Sequence, residues 1–405
     1  MRVQEITNSE MGTFRMCRKR HGFEYVDMLR PKLPGRQLTW GNCIHAGCES
    51  GYRAAYQLGV SIAGRLDHAL VAGAEGVRDF HAVYVTGLDG LVREGHIGDE
   101  EAQEHFDDAA KMLDVALWAV DHFFRATQED LETLVLLGAE VSMHEPMVNK
   151  AGRVMNVRLA GVADTVWWDP QDRSIIVDDH KTVDELVGTT EKRIALDPQM
   201  SGYMHGVQRM VRAGKLRPLD GSELPEGAAD RIGRCRYNCI RRSRPKQPKV
   251  NKVRKNDGAH EQTAILATLE VGGLSSQGLV STAAIDTTAE IYDAALAQQT
   301  EERGLPMTEK QGDLLVKLRD QGDRYFARFE FWRNAAEREE WRRETIAEAR
   351  LMRMVERDPS LRTRNTGACS RPGSPPCAFR AVCINDQPET RALYRIATKR
   401  HEEVR

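Results

Sequence analysis

A change of hydrophobic period near residue 138 limits the folds open to this chain of 405 residues. From about 60 to 136 apolar residues recur at helical steps, most clearly over 100–127, where acidic residues occupy the other face. Three β-rich segments follow, GAEVSMHEPMV, NVRLAGVADTVWW and SIIVDDHKTV, separated by the turn sequences NKAGR and DPQD. Helical spacing returns over 184–214. Helices on both sides of a short strand meander predict an α/β or α+β core with a helical insertion before the strands.

The rest of the chain continues this mixture. The segments 231–240 and 325–332 have strand character, whereas 283–303 and 334–355 have helical spacing. A chain of this length makes two to three domains, or one core with large insertions. The longest apolar runs are too short to cross a bilayer, and MRVQEITNSEMGTF lacks the apolar core of a signal peptide. We therefore expect a cytoplasmic protein with no membrane partner.

Charge is unevenly distributed along the chain, although the formal net charge is only −2. Residues 231–255 carry 11 Lys or Arg and no acid. Such a run is either a solvated basic loop or a phosphate-facing surface, and its density favours the second. We expect Arg241, Arg242, Lys246 and Lys249 within it to follow a nucleic-acid backbone, which makes binding strongly salt-dependent.

The segment IIVDDHKT at 175–182 ends a buried strand in charged residues. Alternate side chains of a strand share a face, so Asp179 and Lys181 point one way and Asp178 and His180 the other. One face therefore presents a carboxylate beside an ammonium group, and the opposite face presents a carboxylate beside an imidazole.

The turn sequence DPQD indicates what lies opposite this strand. If the hairpin is centred between Gln171 and Asp172, residues whose numbers total 343 lie opposite each other, which pairs Asp164 with Asp179. Two adjacent carboxylates repel unless a proton or a cation lies between them, and a hard divalent ion such as Mg²⁺ or Mn²⁺ fits. With Lys181 nearby, this is the chemistry of phosphodiester hydrolysis. The alternative is a surface hairpin with incidental charges.

Further motifs give the hairpin a family context. GVAD at 161–164 followed by VDDHKT resembles the active-site signature of the PD-(D/E)XK nuclease superfamily. GNCIH at 41–45 and PQMSGY at 198–203 resemble the Gly-x-x-x-His and Gln-x-x-x-Tyr motifs of its RecB-like branch, in the family's order. The resemblance implies a restriction-endonuclease-like α/β core, in which a central mixed sheet is flanked by helices. It covers residues 40–48, 138–205 and the cysteine-bearing segments near both ends.

The resemblance also assigns roles to the motif residues. The implied ligands of Mg²⁺ or Mn²⁺ are His45, Asp164, Asp179 and the carbonyl of His180. The implied catalytic residues are Asp164, Asp179, Lys181, Gln199 and Tyr203. Lys181 would position or activate the attacking water, while Gln199 and Tyr203, one helical turn apart, would brace the site or contact DNA. Glu140 and Glu49 are weaker candidates for a supporting acid, and both positions also suit ordinary strand-end or surface charges.

Four of the eight cysteines lie near the two ends of the chain: Cys17, Cys369, Cys377 and Cys383. Four thiolates are the number that a 4Fe–4S cluster takes. The split arrangement resembles the iron–sulfur nucleases of the same branch, such as CRISPR-associated nucleases of spacer acquisition, AddB-type helicase–nuclease subunits and phage exonucleases. The seven residues between Cys369 and Cys377 depart from the family's closer spacing, and Arg18 stands where the family has proline. A structural Zn²⁺ and free buried thiols are the alternatives.

The remaining cysteines are expected to be structural: Cys43, Cys48, Cys235 and Cys239. The resemblance implies an iron–sulfur subdomain made by 1–30 and 350–405, which would close nearly the whole chain into a loop. The nuclease core would occupy 31–349, with the helical insertion at about 60–135 and the basic segment at 231–255.

Together these features predict a metal-dependent deoxyribonuclease, an exonuclease acting on DNA ends or single strands through a metal-activated water. A second hypothesis is a DNA-end-binding subunit of a repair, recombination or CRISPR adaptation complex with a vestigial nuclease site. A third is a zinc-stabilised nucleic-acid adaptor. The sequence contains no G-x-x-x-x-G-K-[ST] motif for ATP, so the protein would act without its own motor or beside a helicase, recombinase or CRISPR adaptation partner.

Overall fold

The computed structural model describes residues 3–32, 35–149, 151–186, 189–250, 279–283, 286–369 and 376–402. The chain divides into two compact units. The first comprises Met1–Val183, Val187–Ile240 and Arg328–Arg405, and the second comprises Asp184–Leu186 and Arg241–Ala327.

Eight strands are present among the described residues: β1 (Gln4–Ile6), β2 (Leu29–Pro31), β3 (Val135–Val148), β4 (Val154–Asp169), β5 (Ser174–Val183), β6 (Ile232–Arg241), β7 (Phe326–Trp332) and β8 (Tyr394–Ile396). Six of them form one sheet in the order β1–β4–β5–β6–β7, with β3 also paired to β4. Strand β4 is antiparallel to β3 and β5 but parallel to β1, so the sheet is mixed. Strands β2 and β8 form a separate antiparallel pair.

The described helices of four residues or more are α1 (Asn8–Met16), α2 (Arg18–His21), α3 (Arg36–Ala55), α4 (Arg65–Arg93), α5 (Asp99–Ala126), α6 (Gln128–Thr133), α7 (Thr189–Ala195), α8 (Gln199–Arg212), α9 (Ala289–Arg303), α10 (Glu309–Asp320), α11 (Ala335–Arg357), α12 (Arg380–Ile384) and α13 (Pro388–Arg391), together with a π-helical turn at Gly22–Val26. None of them is both long enough and apolar enough to pass through a lipid bilayer.

The helices before the sheet follow the periodicity of the sequence. Along α5, Ala109, Met112, Ala116 and Val120 are buried at steps of three and four residues, so one stripe of the helix faces the protein. Helix α3 packs on α4, and α4 packs on α5. The helical spacing predicted over 60–136 is therefore confirmed as far as Thr133, where α6 ends, whereas Val135 and Leu136 belong to β3.

The helical spacing over 184–214 corresponds to two helices rather than one. Pro198 separates α7 from α8, because proline lacks an N–H and disfavours helical geometry in the residue before it. The Asp197 carboxylate accepts a hydrogen bond from the Gln199 N–H at 2.9 Å, which helps α8 begin at that residue.

The predicted fold class is confirmed, since a central mixed sheet is flanked by helices. Strand β1 and helix α1 were not predicted; a strand of three residues such as β1 carries too little periodicity to be recognised. Ile6 and Phe14 from these elements pack with Trp341 and Met352 of α11 and with Leu159 of β4 in one buried cluster. The N-terminal segment is therefore part of the core of the first unit.

In the second unit, α9 and α10 pack around a small core that includes Tyr292 and Leu315. Buried Gln299 and Gln311 bond to each other, with 2.9 Å between Gln311 Nε2 and Gln299 Oε1. Helix α9 begins later than the predicted 283, because Thr288 caps it by accepting from the Ile291 N–H. Helix α10 was not predicted.

Candidate metal centre and cleavage site

The β4–β5 hairpin has the register that its turn sequence predicts. Thr165 lies opposite Asp178, and the numbers of every further pair in this ladder also total 343. Asp164 and Asp179 are the next residues beyond the last pair. Because neighbouring residues of a strand face opposite sides, the two aspartates of IIVDDHKT enter different surroundings.

Asp178 is a structural residue. It is fully buried, and the Arg236 guanidinium donates to both of its oxygens at 2.7 Å. Trp167 Nε1 donates to Asp178 Oδ2 at 2.9 Å. Burial alone would raise the pKa of Asp178, but the Arg236 charge outweighs it and the pKa is lowered. This carboxylate is thus ionised and fully occupied by protein donors.

The ion pair of Asp178 extends into a buried polar network. Arg236 also donates to Asp130 at 2.9 Å, and Arg328 donates to Asp130 at 2.6 Å and to Asn238 Oδ1 at 2.8 Å. Asn238 Nδ2 lies 3.2 Å from His180 Nδ1. Burial lowers the pKa of His180 to about 4, so its imidazole is neutral at pH 7. The network holds the end of β5 from the side opposite to Asp179.

Three potential metal ligands meet beside this strand end. His45 Nδ1 lies 3.4 Å from Asp164 Oδ1 and 3.9 Å from Glu140 Oε1, and one ligand atom from each residue lies within 4.8 Å of the others. His45 is carried by α3, one turn after Gly41. A Cβ at Gly41 would stand 3.1 Å from Thr182 Oγ1, so glycine lets this helix approach β5 closely.

Glu140 contributes more to this cluster than its sequence context indicated. Its neighbours Ala139 and Val141 pair with Thr165 and Ala163, which brackets Glu140 opposite Asp164. Its φ is 51°, a left-handed conformation that costs a residue with a Cβ about 1–2 kcal/mol. Strained backbone of this kind concentrates at functional sites. No local sequence signal reports it, because glutamate is not a residue that favours positive φ.

Glu49 lies outside the cluster of potential ligands. It forms an ion pair with Arg53, one turn further along α3, at 3.0 Å. Of the two weaker acidic candidates, the structure therefore brings only Glu140 to His45 and Asp164.

The remaining predicted residues form a second, adjoining group. Lys181 Nζ lies 2.6 Å from Asp179 Oδ2 and donates to Gln199 Oε1 at 2.9 Å. The Gln199 amide nitrogen donates to Asp179 Oδ1 at 2.9 Å and to the Tyr203 hydroxyl. A Cβ at Gly161 would stand 3.2 Å from the Tyr203 ring, so the glycine of GVAD leaves space for it. One glutamine side chain thus connects the carboxylate, the ammonium group and the phenol.

The electrostatics of the two groups are coupled. Burial would lower the pKa of His45, but Asp164 and Glu140 raise it to about 10. Burial would raise the pKa of Asp164, but the His45 charge and the hydrogen bond from the His180 N–H hold it well below its usual range. Burial and the Asp164 charge raise the pKa of Asp179, against the effect of Lys181. Negative charge is therefore concentrated here, with a proton on His45 as one counter-charge.

This donor set fits a divalent cation. Carboxylate oxygens suit Mg²⁺ and Mn²⁺, and a metal ligated by His45 would replace its proton. Asp179 Oδ2 is buried, and its partner among the described residues is the Lys181 ammonium group at 2.6 Å. Asp179 does not belong to the cluster within 4.8 Å that His45, Glu140 and Asp164 form.

Short contacts connect some of the four predicted cluster cysteines. The Asn365 N–H lies 3.5 Å from Cys17 Sγ, and Cys369 Sγ lies 3.6 Å from the Asn365 carbonyl. The Cys377 N–H donates to the Cys369 carbonyl at 3.1 Å. Burial raises the pKa of Cys383; Arg364 opposes this effect, and Cys17 and Cys369 add to it. Cys17 and Cys369 thus both lie beside Asn365, but these thiols are not among the groups of potential metal ligands that lie within 4.8 Å of one another in the described part of the chain.

The predicted DNA-facing residues fall into two pairs within the second unit. Arg241 donates to Asp286 at 2.7 Å and Arg242 donates to Asp184 at 2.8 Å, so both arginines already hold carboxylates. Lys246 and Lys249 are exposed. The last part of the basic segment, 251–255, lies outside the described residues.

A sequence profile of the PD-(D/E)XK nuclease superfamily matches residues 5–270, about two thirds of the chain. The matched range contains His45, the β4–β5 hairpin and α8. Among the four cluster cysteines it contains Cys17 only. No curated protein gave a significant match.

Proposed function

Because the chain belongs to the PD-(D/E)XK nuclease superfamily, whose members are nucleases that use divalent metals, we propose that it is a metal-dependent deoxyribonuclease acting on DNA ends as an exonuclease. The observation that carries the proposal is the meeting of His45, Glu140 and Asp164 beside the Asp179–Lys181–Gln199 group. This arrangement supports hydrolysis of a phosphodiester, because it offers oxygen and nitrogen ligands for a metal beside an ammonium group.

His45, Glu140 and Asp164 would hold Mg²⁺ or Mn²⁺, with Asp179 and the His180 carbonyl as further ligands. The ion supplies positive charge that lowers the pKa of water and stabilises charge on the phosphate. Burial would lower the pKa of Lys181, but Asp179 outweighs it and raises the pKa, so this side chain is an ammonium group. Lys181 would therefore orient the attacking water by donating hydrogen bonds and would not act as a base.

Gln199 and Tyr203 would hold these groups in position. The Gln199 carbonyl oxygen accepts from Lys181 while its amide nitrogen donates to Asp179, which fixes the distance between ammonium and carboxylate. Lys246 and Lys249, with Arg241 and Arg242, would contact the DNA backbone, and binding would weaken steeply with salt.

We further propose that Cys17, Cys369, Cys377 and Cys383 hold a 4Fe–4S cluster that joins 1–30 with 350–405 as one subdomain. The shared contacts of Asn365 with Cys17 and Cys369 support this assignment. Such a cluster would act structurally, by closing a loop of nearly the whole chain. Cys383→Ala should lose the visible absorbance of anaerobically purified protein and melt at a lower temperature, whereas buried Cys239→Ala should keep the colour. Colourless native protein that contains zinc would contradict the assignment.

The nuclease proposal is tested with anaerobically purified protein, Mg²⁺ or Mn²⁺, and end-labelled single- and double-stranded DNA. The native protein should shorten the DNA from an end only when metal is present. Asp179→Ala and Lys181→Ala should abolish cleavage while DNA binding persists. Asp172→Ala, an exposed aspartate in the turn of the same hairpin, is the matched control and should cleave normally.

Two outcomes would count against the proposal. Cleavage at the native rate by Lys181→Ala would overturn the role of the lysine. DNA retention without cleavage by the native protein would favour the end-binding subunit, working beside a helicase, a recombinase or a CRISPR adaptation complex.

A further inference from the structure

A cavity of about 230 Å³ lies between α8 and α11 in the first unit. His205, Arg209 and Arg212 line it at steps of four and three residues, and therefore from one face of α8. Gln199 and Tyr203, which contact Asp179 and each other, are not among its lining residues. The cavity is thus separate from the metal centre, although one helix serves both.

Four arginines line this cavity: Arg209, Arg212, Arg338 and Arg342. Three of them have acidic partners. Arg209 lies 3.3 Å from Glu145, which also receives Lys215 at 3.1 Å. Arg212 pairs with Asp230, and Arg342 pairs with Glu339 and donates to the Val148 carbonyl. These contacts leave an excess of positive charge around the cavity.

Arg338 is the exception. Its Nε atom is buried and has no hydrogen-bond partner among the described residues. Burial and the nearby positive charge of Arg212 lower the pKa of Arg338, so the two guanidinium groups repel each other. His205 Nε2 on the opposite wall is likewise buried without a partner in the described part of the chain. Buried polar atoms in folded proteins almost always have partners, and a bound molecule is one way to supply them.

We propose that this cavity is a binding site for the phosphate group of a small anion, either inorganic phosphate or a mononucleotide. An oxyanion between Arg338 and Arg212 would accept from both guanidinium groups and would replace their repulsion by attraction. Arginine is suited to this role because its planar fork matches the oxygens of a phosphate and stays charged. The cavity is smaller than the roughly 300–1,000 Å³ typical of sites that enclose drug-sized ligands. It therefore suits a phosphate group, with any nucleoside extending outside.

The test is calorimetric titration of the full-length protein in phosphate-free buffer with EDTA, so that metal-bound phosphate does not contribute. The probes are inorganic phosphate, 5′-dAMP and adenosine at constant ionic strength. We expect saturable binding of at least one phosphorylated probe and none of adenosine. Equal affinity for both phosphorylated probes would identify the phosphate group alone as the ligand, and a preference for 5′-dAMP would identify a nucleotide.

Two arginines of α11 make a matched pair of variants. Arg338→Met should weaken binding by roughly tenfold or more, because a charge-assisted hydrogen bond is worth at least one decade of affinity. Arg343→Met, an exposed position outside the cavity, should bind as the native protein does. Arg338→Met should fold at least as well as native protein in the absence of phosphate, since it removes a charge that has no acidic partner in the described part of the chain. Arg212→Met provides a second loss of binding if Arg338→Met does not fold.

No saturable binding of either phosphorylated probe would overturn the proposal. The same conclusion would follow if Arg338→Met, Arg212→Met and Arg343→Met all retained native affinity. The metal-centre variants Asp179→Ala and Lys181→Ala should still bind phosphate, because neither residue lines the cavity. The two proposals can therefore fail independently.

Discussion

Glu140 Oε1 lies 3.9 Å from His45 Nδ1 because Glu140 adopts a left-handed conformation within β3. The strand accepts this local strain and so directs the carboxylate toward an imidazole on another element. Since Asp164 Oδ1 lies 3.4 Å from the same imidazole nitrogen, the contact completes a three-residue donor set. Because of this contact with His45, our proposal treats Glu140 as a metal ligand and not as a charged residue at the end of a strand.

Replacing Glu140 should weaken metal binding. We expect Glu140→Gln to reduce Mn²⁺ affinity roughly tenfold or more, which corresponds to about 1.4 kcal/mol per decade. Glu49→Gln is the control, because Glu49 pairs with Arg53 and lies outside the donor set. The Mn²⁺ affinity of each variant is measured by titrating the protein with Mn²⁺ and recording the free ion by electron paramagnetic resonance. Equal affinities in the two variants would remove Glu140 from the ligand set.

The backbone at Glu140 gives a separate prediction about stability. At an ordinary strand position, a protein with glycine is less stable than the same protein with alanine by about 0.5–1 kcal/mol. At a φ of 51° the order should reverse, because glycine does not incur the left-handed penalty of about 1–2 kcal/mol. Urea unfolding of Glu140→Gly and Glu140→Ala compares the two directly. A less stable glycine variant would mean that the residue leaves this conformation in solution.

Gln199 should affect the rate of cleavage more than the binding of DNA. Gln199→Ala removes the side chain that bonds to both Lys181 and Asp179 and leaves only their direct ion pair, and misplacement of catalytic groups by about 1 Å can cost 10²-fold in rate. We expect kcat to fall by that order while KM changes little. Gln208 lies on the same helix as Gln199 and donates to the Ala229 carbonyl, so Gln208→Ala should keep the native kcat. Similar rates for both variants would contradict the positioning role.

The Asp178–Arg236 pair should be important for stability. Arg236→Met leaves a fully buried carboxylate without its bidentate partner, and we expect a loss of about 3–5 kcal/mol. Adding Asp178→Asn should recover part of that loss, because it removes the unpaired charge. A double-mutant cycle in urea measures the coupling, with the exposed pair Asp89–Arg93 as a control worth less than about 1 kcal/mol. Additive effects at Asp178 and Arg236 would contradict the coupling.

Glu10 should make stability depend on pH. Burial would raise its pKa, but hydrogen bonds from His21 and His401, with the charge of Arg400, lower it from 4.5 to about 2. A carboxylate whose pKa is lower in the folded state stabilises the fold above its unfolded pKa. The contribution, about 3 kcal/mol, should be present above pH 4.5 and lost as pH falls toward 2.

Urea unfolding at pH 6 and pH 3 tests this dependence. The native protein should lose more stability between these values than Glu10→Gln does, because glutamine does not titrate. Glu344→Gln, an exposed position on α11, should behave as the native protein does. An unchanged pH dependence in Glu10→Gln would show that Glu10 keeps its normal pKa in the fold.

Local chemistry made part of this site predictable from the sequence. Alternation along β5 separates Asp178 from Asp179, and the short turn DPQD sets a register that the structure has. The four-residue spacing of Gln199 and Tyr203 places both on one face of α8, where the glutamine amide reaches the tyrosine hydroxyl. Each of these depends on the geometry of a single strand, turn or helix.

The other features of the site and the fold depended on which faces of the strands and helices meet in the folded protein. Arg236 is 58 residues from Asp178, and Glu10 is 391 residues from His401, so no periodicity links either pair. Glu140 reaches His45 through a positive φ that only the surrounding sheet can hold. The sequence by itself determined the faces and spacings of single elements, because these follow from local backbone geometry. Only the tertiary structure decided which charges are buried together, because burial and electrostatic coupling are properties of packed elements.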